Sequence, residues 1–84
     1  MRLLAKAFAV EILYALNDGE GRRFVDLKDV CPNEKTRATR LRELKKHGLI
    51  DTAIKEVGNR SFIIYMTTEK GKEALRIIKQ LESL

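Results

Sequence analysis

The stretch NEKTRATRLRELKKHGLI, residues 33–50, carries six Lys and Arg residues but only two acidic residues. The rest of the chain is nearly neutral, with eleven basic and ten acidic residues. Asn33 is a good helix N-cap and Gly48 is typical of a helix C-terminus, so the stretch predicts a helix over residues 33–47. This concentration of positive charge on one short helix favours an acidic partner.

A helical wheel centred on Leu41 separates the predicted helix into two faces. Ala38 and Leu44 flank Leu41 on the inner face, and Arg37 lies near the same side. The outward N-terminal half is basic or hydroxyl-bearing, with Lys35, Thr36 and Thr39 facing outward and Arg40 and Arg42 on the two shoulders. A helix that enters the DNA major groove does so by its N-terminal residues, so this asymmetry has the right direction for DNA recognition.

The segments on either side of this helix predict a helix-turn-helix followed by a hairpin. Residues 22–24 suit a short strand, and residues 25–31 suit a short helix that Pro32 ends. Residues 49–57 and 60–67 are rich in β-branched and aromatic residues and are separated by Gly58 and Asn59 only, which suits a type II′ hairpin. That register pairs Val57 with Arg60, Lys55 with Phe62, and Ala53 with Ile64.

The two ends of the chain predict helices with apolar surface to bury. Residues 2–16 contain no Gly or Pro and are apolar nearly all round, so this helix must be covered on more than one side. Thr68 suits the N-cap of a last helix over residues 69–83. A chain of 84 residues buries little surface by itself, so a second copy is expected to cover part of these helices.

Three motifs resemble those of winged-helix regulators of the HxlR and MarR-like groups. They are RFVDL (23–27), RLRELKKHGLI (40–50) and YMTTEKGKEAL (65–75), and the match spans residues 12–78. The resemblance implies an α+β, mainly α, winged helix-turn-helix fold in a single domain over residues 1–84. It also implies a homodimeric transcriptional regulator without enzymatic activity. Two positions depart from the family pattern, which usually has an apolar residue in place of Arg37 and Leu in place of Thr67.

The sequence and the resemblance together predict two sets of binding residues. The expected contacts with double-stranded DNA are Asn33, Lys35, Thr36, Arg37, Thr39, Arg40, Arg42, Lys55, Asn59 and Arg60. The first and last helices form the dimer in this family, and the expected interface residues are Leu3, Leu4, Ala7, Phe8, Ile77, Ile78, Leu81 and Leu84. Arg22 and Arg23 could reach phosphate, although for Arg23 a structural role beside the short strand is preferred.

Two other functions remain open from the sequence. A winged helix can serve as a protein-docking module, with the apolar helix 2–16 bound to a different protein. It can also be an architectural DNA-binding protein that binds all duplexes alike, with a steep salt dependence and little sequence preference. The state of self-association and the sequence preference in DNA binding distinguish these functions from the regulator.

Other residue types predict no chemistry beyond binding. The residues form no recognisable catalytic set, phosphate-binding glycine loop or cofactor motif. Cys31 excludes an internal disulfide and is expected to be a small buried hydrophobe, with redox sensing as the alternative. His47 suits the C-terminal turn of its helix, and one His and one Cys do not make a zinc site. No apolar run is long enough to span a membrane, so a cytoplasmic protein is expected. Abundant charge with scarce Asn and Gln favours a heat-adapted source.

Overall fold

The computed structural model describes residues 2–84, so Met1 of the predicted domain lies outside it. Within these residues, three α-helices, two short 3-10 turns and one antiparallel hairpin follow one another. In order they are a 3-10 turn at Arg2–Ala5, α1 at Ala9–Ala15, a 3-10 turn at Val25–Leu27, α2 at Glu34–Lys46, β1 at Ile50–Val57, β2 at Arg60–Thr67 and α3 at Glu69–Glu82. This arrangement confirms the predicted winged helix-turn-helix fold.

The first helix is shorter than predicted because the helical conformation is interrupted at Phe8, just before α1. Phe8 has a φ of 68°, a left-handed conformation that costs a bulky residue about 1–3 kcal/mol, and α1 begins at Ala9. Before this interruption, the side chain of Leu3 is buried in the core. The carbonyl of Ala7 accepts a hydrogen bond from Arg40. Tertiary contacts therefore override the helix propensity of residues 2–16.

Burial of Leu3 corrects one expected dimer contact. Only 4% of the surface of Leu3 is exposed, and Leu3 packs in the core of its own chain, so it has little surface to offer a second copy. Two other predicted elements are shorter in the structure than expected. The expected strand at 22–24 is a single bridge from Arg22 to Tyr65, and the helix expected over 25–31 is a 3-10 turn of three residues.

The hairpin forms with the predicted register. Val57 pairs with Arg60, Lys55 with Phe62, and Ala53 with Ile64. Gly58 adopts a φ of 61°, the positive value that the first central residue of a type II′ turn requires. Since the alternation of side chains follows from this register, the hairpin's two faces are also those expected from the sequence.

One hydrophobic core joins the helices to the base of the hairpin. Its fully buried side chains include Ile12 and Leu13 of α1, Leu44 of α2, Leu49 just before β1, and Ile50 at the start of β1. Cys31 is completely buried in the same cluster, as predicted for a small hydrophobe. Among residues 2–84, no helix has the length and apolar character needed to cross a membrane.

The last helix is capped as predicted and packs closely at its first turn. The Thr68 side chain accepts a hydrogen bond from the Gly71 amide at 3.1 Å. A Cβ atom added to Gly71 would lie 2.1 Å from the carbonyl oxygen of Leu49 and 2.6 Å from Cγ2 of Thr67. The absence of a side chain at Gly71 therefore allows α3 to lie against the chain segment that starts the wing.

We expect Gly71→Ala to destabilise the protein by about 2–3 kcal/mol, although alanine is the better helix former. The added methyl group meets a backbone carbonyl that cannot move without shifting β1. Thermal or urea unfolding followed by circular dichroism measures this. Lys72→Ala, at the exposed neighbouring position, is the matched control and should stay close to wild type. Equal stability of the two variants would contradict the close packing.

Candidate nucleic-acid interface

The N-terminus of α2 is fixed by a side-chain cap. Oδ1 of Asn33 accepts a hydrogen bond from the Thr36 amide at 2.9 Å, and Pro32 precedes the cap. This cap satisfies one of the amide groups that a helix leaves without an intrahelical partner. The Asn33 side chain is therefore engaged in starting α2, and the expectation that Asn33 contacts DNA now rests on its exposed position beside that helix end.

The outward side of α2 holds several of the exposed cations of the basic stretch. Lys35 and Arg42 are exposed, and neither forms an ion pair with any residue in the range 2–84. The side chains of Thr36 and Thr39 are partly exposed. Unpaired cations beside hydroxyl side chains suit contacts with phosphate oxygens and with base edges in a major groove.

Arg37 is buried, which corrects its assignment as a DNA contact. Its side chain is only 2% exposed, and its guanidinium group donates to three backbone carbonyls. These are the carbonyls of Cys31 at 2.8 Å, Pro32 at 3.2 Å and Phe24 at 3.3 Å. The guanidinium also lies 4.7 Å from the centre of the Phe24 ring, a cation–π contact. Arg37 therefore stabilises the helix-turn-helix from inside.

Arg40 also has partners within the chain. Its Nε atom donates to the Ala7 carbonyl at 2.8 Å, and one terminal nitrogen donates to Oε1 of Glu43 at 2.8 Å. The second carboxylate oxygen of Glu43 accepts a hydrogen bond from Lys6. Arg40 therefore connects α2 to the N-terminal segment, and the expectation that Arg40 also contacts DNA stays a prediction.

The wing carries its cations at and near its tip. Lys55, Asn59 and Arg60 are all exposed. Lys55 and Arg60 lie on the hairpin face that also holds Phe62, and Arg23 lies 5.1 Å from the centre of that ring. The Arg23 side chain donates two hydrogen bonds to the Asp26 carboxylate, at 3.1 and 3.2 Å, and the Arg23 amide donates a third at 3.1 Å, which supports the preferred structural role for Arg23.

The opposite face of the wing forms a cleft with α2 that the sequence did not reveal. The cleft has a volume of about 260 Å³, and its lining includes the aromatic rings of Phe24 and Tyr65. Arg42 and Lys45 line it from α2, and Lys45 donates to the Thr52 hydroxyl at 3.1 Å. Lys45 was missed because the wheel places it on the inner half of α2, where the wing base meets the helix.

An exposed apolar pair also lies on the cleft face of the wing. Ile54 and Ile63 pair across the hairpin and are 72% and 61% exposed. Their β-branched side chains were interpreted only as a strand signal, because the sequence does not show how far the wing extends beyond the core. No group of three or more metal-ligating side chains comes together in the part of the chain that the structure describes.

Comparisons with known proteins place this geometry in context. The family model described as HxlR-like helix-turn-helix matches residues 3–84. The reduced form of the transcriptional regulator YodB from B. subtilis superimposes with a TM-score of 0.84 at 24% identity, over 98% of this chain and 80% of that one. The diamide-treated YodB gives a TM-score of 0.74 at 22% identity, over 98% and 81%. These structures show the same fold, and a search of curated proteins gave no match.

We expect Arg37→Met to lower the free energy of unfolding by about 3 kcal/mol, because it removes three hydrogen bonds and leaves the carbonyl of the buried Cys31 without a donor. Urea unfolding measures the loss. Lys35→Gln on the same helix, at an exposed position, should leave stability within about 0.5 kcal/mol of wild type. An unchanged midpoint for Arg37→Met would show that the three hydrogen bonds contribute little.

Proposed function

This chain belongs to the HxlR-like helix-turn-helix family, and from that premise we propose that it is a DNA-binding transcriptional regulator that acts as a homodimer. The observation that carries the proposal is the exposed outward face of α2, whose cations Lys35 and Arg42 have no acidic partner within residues 2–84. The proposed activity is binding and involves no catalysis. Action on chromosomal DNA would place the protein in the cytoplasm.

In the proposed complex, α2 enters the major groove with its N-terminal half. Lys35, Thr36 and Thr39 contact base edges or phosphates there, because they are the outward residues nearest that end. Arg42 contacts a phosphate beside the wing. Lys55 and Arg60 contact the backbone or a minor groove from the wing tip, with Asn59 between them.

The proposed dimer buries the apolar residues that α3 leaves exposed. Ile77, Leu81 and Leu84 are all exposed on or just beyond the second half of this helix, with Ile78 partly buried beside them. From the N-terminal segment, Ala7 is exposed, and Leu4 and Phe8 are partly buried. A twofold dimer with both α2 helices on one side of DNA would read half-sites about 34 Å apart.

We expect Lys35→Gln and Arg42→Gln each to weaken duplex binding and to reduce the slope of log K against log salt by about 0.9 per lost phosphate contact in each subunit. Fluorescence anisotropy with labelled duplex, titrated over salt, measures both quantities. Lys72→Gln on α3 has the same charge change at a position that lines a hollow with Leu16 and Asn17, away from α2, and is the control. Equal slopes in all three variants would reject this interface.

Selection from a pool of random duplexes tests sequence specificity separately. Enrichment of a twofold-related motif is the result expected of a regulator. Salt-sensitive binding without an enriched motif would instead support the architectural function, and no binding even at low salt would support protein docking.

We expect Leu81→Glu to dissociate the homodimer, because Leu81 is 62% exposed in the single chain and would be covered in the dimer. Sedimentation equilibrium measures the shift. Ile54→Glu is the control, since Ile54 is 72% exposed on the wing, far along the hairpin from α3, and its variant should remain dimeric. A wild-type protein that is monomeric at all concentrations would contradict the dimer and favour a docking module.

A further inference from the structure

The helix proposed to face DNA carries an acid, Glu43, at an outward position. A free carboxylate there would repel phosphates. In the structure both carboxylate oxygens are engaged by different cations, with Lys6 donating to Oε2 and Arg40 donating to Oε1 at 2.8 Å. These hydrogen bonds, first the one from Lys6, lower the pKa of Glu43 below its ordinary value, so the group stays ionised at neutral pH.

The three side chains connect α2 to the N-terminal segment, residues 2–8. Lys6 belongs to that segment. Arg40 also donates to the carbonyl of Ala7, the residue after Lys6, at 2.8 Å. We call Lys6, Glu43 and Arg40 the flank triad. The flank triad fixes the segment at two adjacent residues, and its net charge is +1, so the acid does not make this side of α2 negative.

The flank triad lies on the side of α2 away from the wing. Arg40 and Arg42 are two residues apart on the helix and therefore occupy opposite shoulders. Arg42 lines the cleft between α2 and the wing, whereas Arg40 contacts the N-terminal segment. A helix in the major groove has a phosphate backbone on each side, and the flank triad is the positive group on the side that the wing does not reach.

Lys6 has the capacity for a further contact. An ammonium group has three donors, and the only hydrogen bond that Lys6 donates from Nζ within residues 2–84 goes to Glu43. Its side chain is 47% exposed, against 26% for Glu43 and 18% for Arg40. Of the three groups, Lys6 is therefore the one that a phosphate can approach.

We propose that Glu43 is a positioning residue that holds Lys6 beside α2, where Lys6 contacts a DNA phosphate on the flank opposite the wing. This inference rests on the proposed DNA-binding function. Simple electrostatics and positioning predict opposite results for Glu43→Gln. If Glu43 only repels DNA, its neutralisation tightens binding. If it positions Lys6, neutralisation weakens binding even though every cation is retained.

The test measures duplex affinity against salt for the full chain with Glu43→Gln, Lys6→Gln and the double variant. We expect Glu43→Gln to weaken binding about 3- to 10-fold and to reduce the salt slope by about 0.9 per subunit, as Lys6→Gln does. The double variant should match Lys6→Gln alone, because without Glu43 the lysine no longer contributes. Lys6→Arg keeps the charge and should retain most of the affinity.

Glu34→Gln is the matched control. Glu34 is an exposed acid in the first turn of the same helix, without an ion pair in the described residues, so its removal should tighten binding and leave the slope unchanged. Tighter binding by Glu43→Gln, or independent effects in the double variant, would overturn the inference alone. Absence of salt-dependent binding by the wild type would overturn the proposed function as well.

Glu43→Gln could also loosen the fold, so unfolding midpoints accompany each titration. Lys6→Gln alters an exposed side chain near the chain terminus and should keep the wild-type midpoint. An unchanged salt slope in that folded variant would overturn the inference whatever happens to Glu43→Gln.

Discussion

The buried guanidinium group of Arg37 joins the two parts of the helix-turn-helix. Within residues 2–84, the carbonyls of Cys31 and Pro32 accept no backbone hydrogen bond, and a buried carbonyl without a donor would be unfavourable. The Phe24 carbonyl accepts a bond from Arg37 in addition to the one from the Leu27 amide. Arg37 supplies these donors from the inner face of α2 and also stacks on the Phe24 ring. A buried charge is tolerated only when it is this fully satisfied. The direction in which α2 leaves the turn therefore depends on Arg37, and the exposed face of α2 depends on that direction.

The six cations of residues 33–50 fall into two groups. Arg37 is buried and Arg40 binds the Ala7 carbonyl and Glu43, while Lys35, Arg42, Lys45 and Lys46 remain exposed and form no ion pair within the described chain. The charge count of the stretch therefore overstates the charge that a polyanion would meet. What makes α2 suited to DNA is the position of its remaining cations, with the wing on one flank and the N-terminal segment on the other.

The sequence predicted those parts of the fold that local chemistry determines. The Asn33 and Thr68 caps, the Gly58 turn and the hairpin register depend on residues close in the chain, and all appear as expected. The break at Phe8 was missed because it depends on contacts with α2, which lies about thirty residues further along the chain. Arg37 was assigned to DNA by residue type, although its wheel position next to Leu41 already indicated the inner face. The contacts of Lys6 and Ala7 with α2, by contrast, join segments that no local pattern connects.

The N-terminal segment has two proposed tasks, and its contacts make them interdependent. Leu4, Ala7 and Phe8 are proposed to face the second subunit, while Lys6 and the Ala7 carbonyl bind to α2. Phe8, the last residue of the segment, has a left-handed conformation that interrupts the helix before α1, and the segment also contacts α2 and the core. If the dimer forms as proposed, a change in how the subunits pack would act on residues 4–8 and hence on α2 through the Glu43 and Arg40 contacts. The proposed dimer interface and the proposed DNA-binding helix would then be coupled directly, because the N-terminal segment that contacts α2 is also the segment proposed to meet the partner subunit.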